Sequence, residues 1–328
     1  MTISESHFTA VTRAFAEGRI IPFLGAGANL CDRPDGEAYA RGRYLPSGVE
    51  LATHLSGLFD YPSDPAAGRP DLVRVSQYVA VVVGTGPLYD ELRAVFDADY
   101  PPSSLHQLLA GIPGMLRAKG YRGWPQLLVT TNYDDALEHA FQAAGESYDV
   151  LSYIADGENR GRFRHWTPDR MAHVIERPNE YRGEWRASDD APETTIDQRT
   201  VILKLHGACV RDTPDLDSYV ITEDHYIEYL TRTEVASLLP ITLAARMRRS
   251  HFLFLGYSLA DWNLRVILHR IWGTQSLRYK SWAVQKAPGD LEVQFWRARD
   301  VDILEAGVRE YADVLSRHVA MLPAPASP

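Results

Sequence analysis

Four short clusters in the 328-residue chain place glycine beside residues able to hold or activate a ligand. The first, Gly25-Ala26-Gly27-Ala28-Asn29, follows the apolar run Ile20 to Leu24. Glycine lets a backbone approach a ligand closely, and amides exposed in such a turn suit phosphate oxygens. A structural tight turn is an equal reading, because a full dinucleotide fingerprint needs a third glycine and an acid about 20 positions on. Instead the loop runs on through Cys31, Pro34, Gly36 and Gly42 to Leu45-Pro46-Ser47-Gly48. The second cluster, Thr130-Thr131-Asn132-Tyr133-Asp134, ends an apolar run, where ligands of open parallel sheets bind; by themselves Asn132 and Asp134 also read as helix caps. The third, Lys204-Leu205-His206-Gly207, offers an imidazole, although a single His is more often structural than catalytic. The fourth runs from Leu255 through Gly256, Tyr257 and Ser258 to Asp261 and Asn263: a strand, a glycine turn and a helix opened by an acid.

The elements that must position these clusters follow from periodicity. Short branched or aromatic runs at Ile20–Leu24, Leu127–Thr131, Val201–Leu205, Phe252–Leu255 and Ser281–Gln285 read as buried strands. Helical spacing recurs at Phe8, Val11 and Phe15; at Leu105, Leu108, Leu109 and Ile112 behind Ser103 and Ser104; and at Leu137, Ala140, Phe141 and Ala144 before Gly145. It returns at Leu264, Ile267, Leu268 and Ile271, and at Val308, Tyr311, Ala312 and Leu315. Asp71 to Phe96 is ambiguous between strand and helix and is assigned to helices broken near Gly84. Strands alternating with helices imply an α/β fold, a Rossmann-like parallel sheet flanked by helices. Between about Asp156 and Arg199 the rhythm fails, and we expect an irregular inserted lobe beside the sheet. The expected organisation is one domain over 1–322 with that insertion at about 156–199, and a disordered tail at 323–328.

Composition narrows the function. With 45% hydrophobic and 23% charged residues the chain is a folded globular protein. Lys plus Arg number 34 against 43 Asp plus Glu, a formal charge of -9, so no direct nucleic-acid binding is expected. Residues 1–18 lack the basic start and apolar run of a signal peptide, and no apolar run approaches the roughly 20 residues of a spanning helix; a cytoplasmic location is expected. Cys31 and Cys209 are the only cysteines, too few for a disulfide framework or a four-cysteine zinc site. The basic run Arg246-Met247-Arg248-Arg249 reads as a solvated helix face, and Trp262, Trp272 and Trp296 as packing residues.

In that order, Gly-Ala-Gly, Asn-x-Asp, His-Gly and Gly-x-Ser resemble the motifs of the sirtuin-like family, over roughly Ile20 to Asn263. The ordered set is specific where each member is not. Only Cys209 lies where deacetylating sirtuins carry their two zinc-binding pairs, so no zinc is expected, with the inserted lobe in place of that module. Asn29 stands where Ser is usual, and no segment for acyl-lysine follows. The fuller forms look like the zinc-free bacterial branch that hydrolyses NAD in defence against phage.

The resemblance implies NAD as substrate, cleaved at the nicotinamide–ribose N-glycosidic bond. Nicotinamide departs neutral from a cationic ring nitrogen and needs no strong general acid; the site must stabilise an oxocarbenium-like ribosyl centre and place a water. Asn132 and His206 are the expected catalytic pair, one holding a hydroxyl or the water, the other accepting a proton. Gly25, Ala26, Gly27, Asn29, Thr131, Asp134, Gly256, Ser258 and Asp261 are the expected binding residues, with Ser258 near the diphosphate and Asp261 on the adenosine ribose. ADP-ribosyl transfer or deacylation through the same bond cleavage, and an NAD or ADP-ribose sensor without turnover, are the alternatives. The family implies restraint by self-assembly into a homo-oligomer or by a separate partner, such as a HerA-type ATPase or an argonaute-like protein. The short stretch after Asn263 leaves little room for a fused sensor.

Overall fold

The computed structural model describes residues 3–62, 68–231, 235–257, 268 and 279–325. The amino-terminal part contains α1 (Glu5–Ala16), β1 (Ile20–Leu24), α2 (Gly48–Leu58), α3 (Leu72–Val82), α4 (Thr85–Phe96) and α5 (Ser104–Ala118). Next come β2 (Leu127–Thr130), α6 (Ala136–Ala143), β3 (Tyr148–Tyr153), β4 (Phe163–Trp166), β5 (Ala172–Val174), β6 (Thr200–Lys204), β7 (Gly207–Ala208) and β8 (Ser218–Tyr219). The remainder holds α7 (Glu223–Thr231), α8 (Val235–Leu238), α9 (Ile241–Met247), β9 (His251–Leu255), β10 (Ser281–Gln285), α10 (Asp290–Arg297), β11 (Val301–Glu305) and α11 (Val308–Met321).

Among the described residues nine strands form one sheet in the order β11-β10-β9-β1-β2-β6-β3-β4-β5. It is parallel from β11 to β3, and β4 and β5 close it antiparallel. Side chains alternate between two cores, as strand geometry requires. Phe23, Val129, Leu203 and Phe254 face one cluster with α9 and α10; Leu24, Leu128, Ile202 and Leu255 face the other with α1, α5, α6 and α11. The Rossmann-like reading therefore holds, and the central strands are buried on both faces.

Local chemistry explains the helices. Ser4 caps α1 from its side chain, and Gly18 ends the turn beyond it at φ +66°. The valine-rich run is indeed two helices: Asp71 caps α3 and Gly84, at φ +122°, separates it from α4. Ser103 and His106 cap α5 reciprocally.

The expected lobe takes a different form. Segment 156–199 contributes β4 and β5, which extend the main sheet, and is anchored by Arg199 Nε donating to the fully buried Asp149 at 2.9 Å. The body with a core of its own is instead formed by α2, α3 and α4 with Tyr133, Tyr219 and Ile221. The basic run is not one solvated face: Met247 is buried and Arg246 turns inward to donate to the Pro125 carbonyl, which leaves only Arg248 and Arg249 exposed. Trp296 is core, as expected, whereas Trp262, Trp272 and the helix expected after Asp261 lie outside the described residues apart from the buried Leu268. No helix among the described residues is long and apolar enough to cross a membrane. The Pro323 carbonyl, at the start of the expected tail, accepts a hydrogen bond from Tyr121 at 2.9 Å.

Candidate active site

Strand register brings the clusters together. Leu24 lies opposite both Thr130 and Leu255, and Thr130 opposite Lys204, so four strands end in one line. Gly25, Thr131, Leu205 and Gly256 are the next residues, and the loops they open border a cavity of about 1050 Å³. Gly25, Ala26, Gly27, Asn29, Thr131, Asn132, Asp134, His206 and Gly256 all line it. Ser258 and Asp261 lie outside the described residues. The volume is at the upper end of the range of about 300–1000 Å³ typical of ligand pockets, room for a dinucleotide-sized molecule.

Each loop is fixed by its neighbour. The Gly25 and Gly27 amides donate to the Leu255 and Gly256 carbonyls at 3.1 and 2.8 Å. Both amides are thereby withdrawn from a phosphate, and among the described residues the Ala26 amide, the third, makes no such bond. Thr131 N–H donates to Leu24 O at 3.3 Å. Asn132 is held twice: its amide donates to Thr130 Oγ1 at 3.0 Å and its Nδ2 to Gly25 O at 3.2 Å. The Oδ1 of Asn132 accepts nothing from the described residues and remains available.

Asp134 is tied on every side. Its carboxylate accepts from Asn29 Nδ2 at 2.8 Å and from Ala136 N–H at 3.1 Å, and its carbonyl from Lys204 Nζ at 2.5 Å. Lys204 is buried and pairs with the equally buried Glu138 at 2.6 Å. Burial is the largest influence and opposes the ammonium charge, but the Glu138, Asp134 and Asp135 carboxylates together outweigh it and keep Lys204 protonated. Asn29 also carries a buried Oδ1 without a partner among the described residues.

His206 is only 5% exposed. Its carbonyl accepts from Val220 N–H at 2.8 Å, and the rings of Tyr226 and Tyr229 stand edge-on to it at 5.5 and 6.3 Å. Its Nε2 has no hydrogen-bond partner among the described residues. Burial pushes its pKa down to about 3, so the imidazole is neutral at physiological pH. A neutral ring that lines the same cavity as an available amide carbonyl can position a water or a hydroxyl and accept its proton.

The sequence motifs omitted the opposite wall. Leu51 of α2, Asp71 at the cap of α3, Arg74 within it, and Glu223 and Tyr226 of α7 complete the cavity. Gln77 and Asp224 exchange two hydrogen bonds, of 2.8 and 3.0 Å, where α3 meets α7. None of these residues sits at a strand end; the local signals were two helix starts, at Asp71 and at Thr222-Glu223-Asp224. Tyr133, inside the quoted motif, points its hydroxyl to Val220 O at 2.9 Å and packs into the α2–α4 core.

Comparison with known proteins bears on the family of the chain. The sequence model of the SIR2-like domain matches residues 126–304, more than half of the chain, including the Asn132, His206 and Gly256 loops but not the Gly25 loop. The chain is also 20% identical over 321 residues, 95% of its length, to Defense-associated sirtuin 2 of Bacillus subtilis. It spans 26% of that protein, about a quarter of the curated relative's length. With strand-end loops arranged around one cavity and more than half of the sequence matched, the chain belongs to the SIR2-like domain family.

Proposed function

We propose that the chain is an NAD glycohydrolase: with water it cleaves the bond between nicotinamide and ribose to give nicotinamide, ADP-ribose and a proton. The observation that carries this reading is His206, buried and neutral, its Nε2 without a partner among the described residues, lining the same cavity as Asn132. A cationic nicotinamide ring leaves as a neutral molecule, so the demand falls on the ribosyl centre and on the water. Asn132 Oδ1 is available to orient a ribose hydroxyl or that water, and His206 takes the proton released as the new C–O bond forms. Asp134 acts through Asn29 and the α6 amide, which hold the turn in place. In this reading Ala26, the amide left over by the glycine loop, faces the diphosphate. The name of the Bacillus relative supports a role in defence, where hydrolysis depletes NAD, and self-association or a separate partner restrains the activity.

The test is release of nicotinamide from NAD by the purified protein, alone and with candidate activators. Asn132→Ala and His206→Ala are each expected to lower the rate about 100-fold or more, the scale of a lost general base or main stabilising contact. Full activity in both variants contradicts the mechanism. Binding of NAD without any product contradicts hydrolysis itself.

A further inference from the structure

The cavity bordered by the strand-end loops carries an uneven set of charges. Among the described residues that line it, Asp71, Asp134 and Glu223 are acids and Arg74 is the one cation, since the His206 imidazole is neutral. An anionic ligand must therefore find its donors among few groups. The Gly25 and Gly27 amides are bound to the neighbouring loop, and the side-chain amides of Asn29 and Asn132 donate to Asp134 and to Gly25 O. The three helices that start at the wall are closed by their own caps. Ser47 Oγ accepts from Glu50 N–H at 3.2 Å, Asp71 Oδ1 from Arg74 N–H at 3.0 Å, and Thr222 Oγ1 from His225 N–H at 3.2 Å. The positive charge left to meet an anion is the Arg74 guanidinium, with Ala26 N–H on the glycine loop.

The backbone of Arg74 is fixed while its side chain stays exchangeable. Its N–H is tied to the Asp71 cap, and one turn further along α3 Gln77 and Asp224 exchange their two hydrogen bonds, which hold α3 against α7. The guanidinium, by contrast, meets the Glu223 carboxylate at 3.9 Å, beyond hydrogen-bond distance, and the two side chains are 72% and 49% exposed. Such a pair contributes little and yields to a better acceptor. A phosphate is one, because a planar guanidinium can give it two parallel N–H bonds.

We propose that Arg74 is the diphosphate-binding side chain of this cavity, the charged group by which a nucleoside diphosphate moiety is chosen over an uncharged nucleoside. On binding, the guanidinium exchanges Glu223 for phosphate oxygens, and Ala26 N–H meets the same diphosphate from the glycine loop. The inference rests on the reading of this cavity as the NAD site. To that reading it adds a residue on α3 that no strand-end motif supplies.

Calorimetric titration of the intact protein with ADP and with adenosine isolates the contribution of the diphosphate and needs no turnover. ADP is expected to bind about 10-fold or more tighter than adenosine, the scale of one charge-assisted contact. Arg74→Met is expected to bring ADP down to the affinity of adenosine, and Arg74→Lys, which keeps the charge, to retain part of the preference. Since Arg74 is exposed, both variants are expected to melt with the parent protein, which checks that they are folded. Equal affinity for ADP and adenosine in the parent protein overturns the proposal. So does a lack of ADP binding at millimolar concentration, or a preference that survives Arg74→Met. A protein that binds ADP through Arg74 but releases no nicotinamide from NAD keeps this assignment and loses the hydrolase reading. One that hydrolyses NAD with a KM unchanged in Arg74→Met does the reverse.

Discussion

Gly25, Gly27 and Gly256 show what single residues do at this site. A Cβ on Gly25 would lie 2.6 Å from Tyr257 Cδ2, and one on Gly27 would lie 2.7 Å from Gly256 O. Gly256 stands at φ +68°, where a Cβ would fall 2.1 Å from the Ala28 nitrogen. These glycines let two strand-end loops pack backbone to backbone; approach to a ligand is left to the edge they form. Gly256→Ala is expected to cost about 2–4 kcal/mol, combining a left-handed backbone penalty with overpacking. Calorimetric melting measures this, and a variant that melts with the parent protein refutes it. That the positions are glycine is plain in the sequence. Which way their missing side chains would point is not, because the obstructing atoms belong to a loop distant in the chain.

At the scale of elements, the cavity depends on helices that carry no chemical motif. Ser47 begins α2 with a reciprocal cap: its hydroxyl accepts from Glu50 N–H at 3.2 Å, and Glu50 accepts from Ser47 N–H at 2.8 Å. Glu50 also binds Arg33 at 2.9 Å and the Tyr39 amide at 2.8 Å, so despite some burial its carboxyl is held down at about 2. Ser47→Ala is expected to destabilise the protein by about 1 kcal/mol, the usual value of such a cap. Urea denaturation tests this, with the earliest loss of amide protection expected in α2; an unchanged midpoint and unchanged exchange count against it. The five strands read from apolar runs are β1, β2, β6, β9 and β10. Strands β3, β4, β5 and β11 escaped because polar residues interrupt them: Asp149 in β3 is held by Arg199, and Asp302 in β11 pairs with Lys280 at 2.5 Å.

Across the whole molecule, buried imidazoles couple stability to pH. Burial lowers His206 to about 3 and His7 to about 4, and it lowers His106 as well. An unfolded imidazole takes up a proton near pH 6.5, whereas these stay neutral in the native state. Below 6.5 the unfolded chain therefore binds more protons, and stability falls as pH falls towards the folded values. For the fully buried His206 alone, the loss between pH 7 and pH 5 is about 2 kcal/mol. Urea denaturation at pH 7, 6 and 5 should show a falling midpoint, smaller in slope for His206→Gln. A midpoint flat across that range refutes the assignment of neutral buried histidines.

The sequence by itself determined the α/β architecture, the central strands and the order of four loop motifs, because apolar period and glycine placement are local properties that a chain cannot hide. It also held both members of the proposed catalytic pair, Asn132 and His206, each at the end of a buried strand. Tertiary structure decided the rest. Parallel register aligned Leu24, Thr130, Lys204 and Leu255 and so placed their loops around one cavity. Packing of α2, α3 and α7 built the wall no motif announced. Burial, which depends on every neighbour at once, made His206 neutral and left its Nε2 without a partner among the described residues.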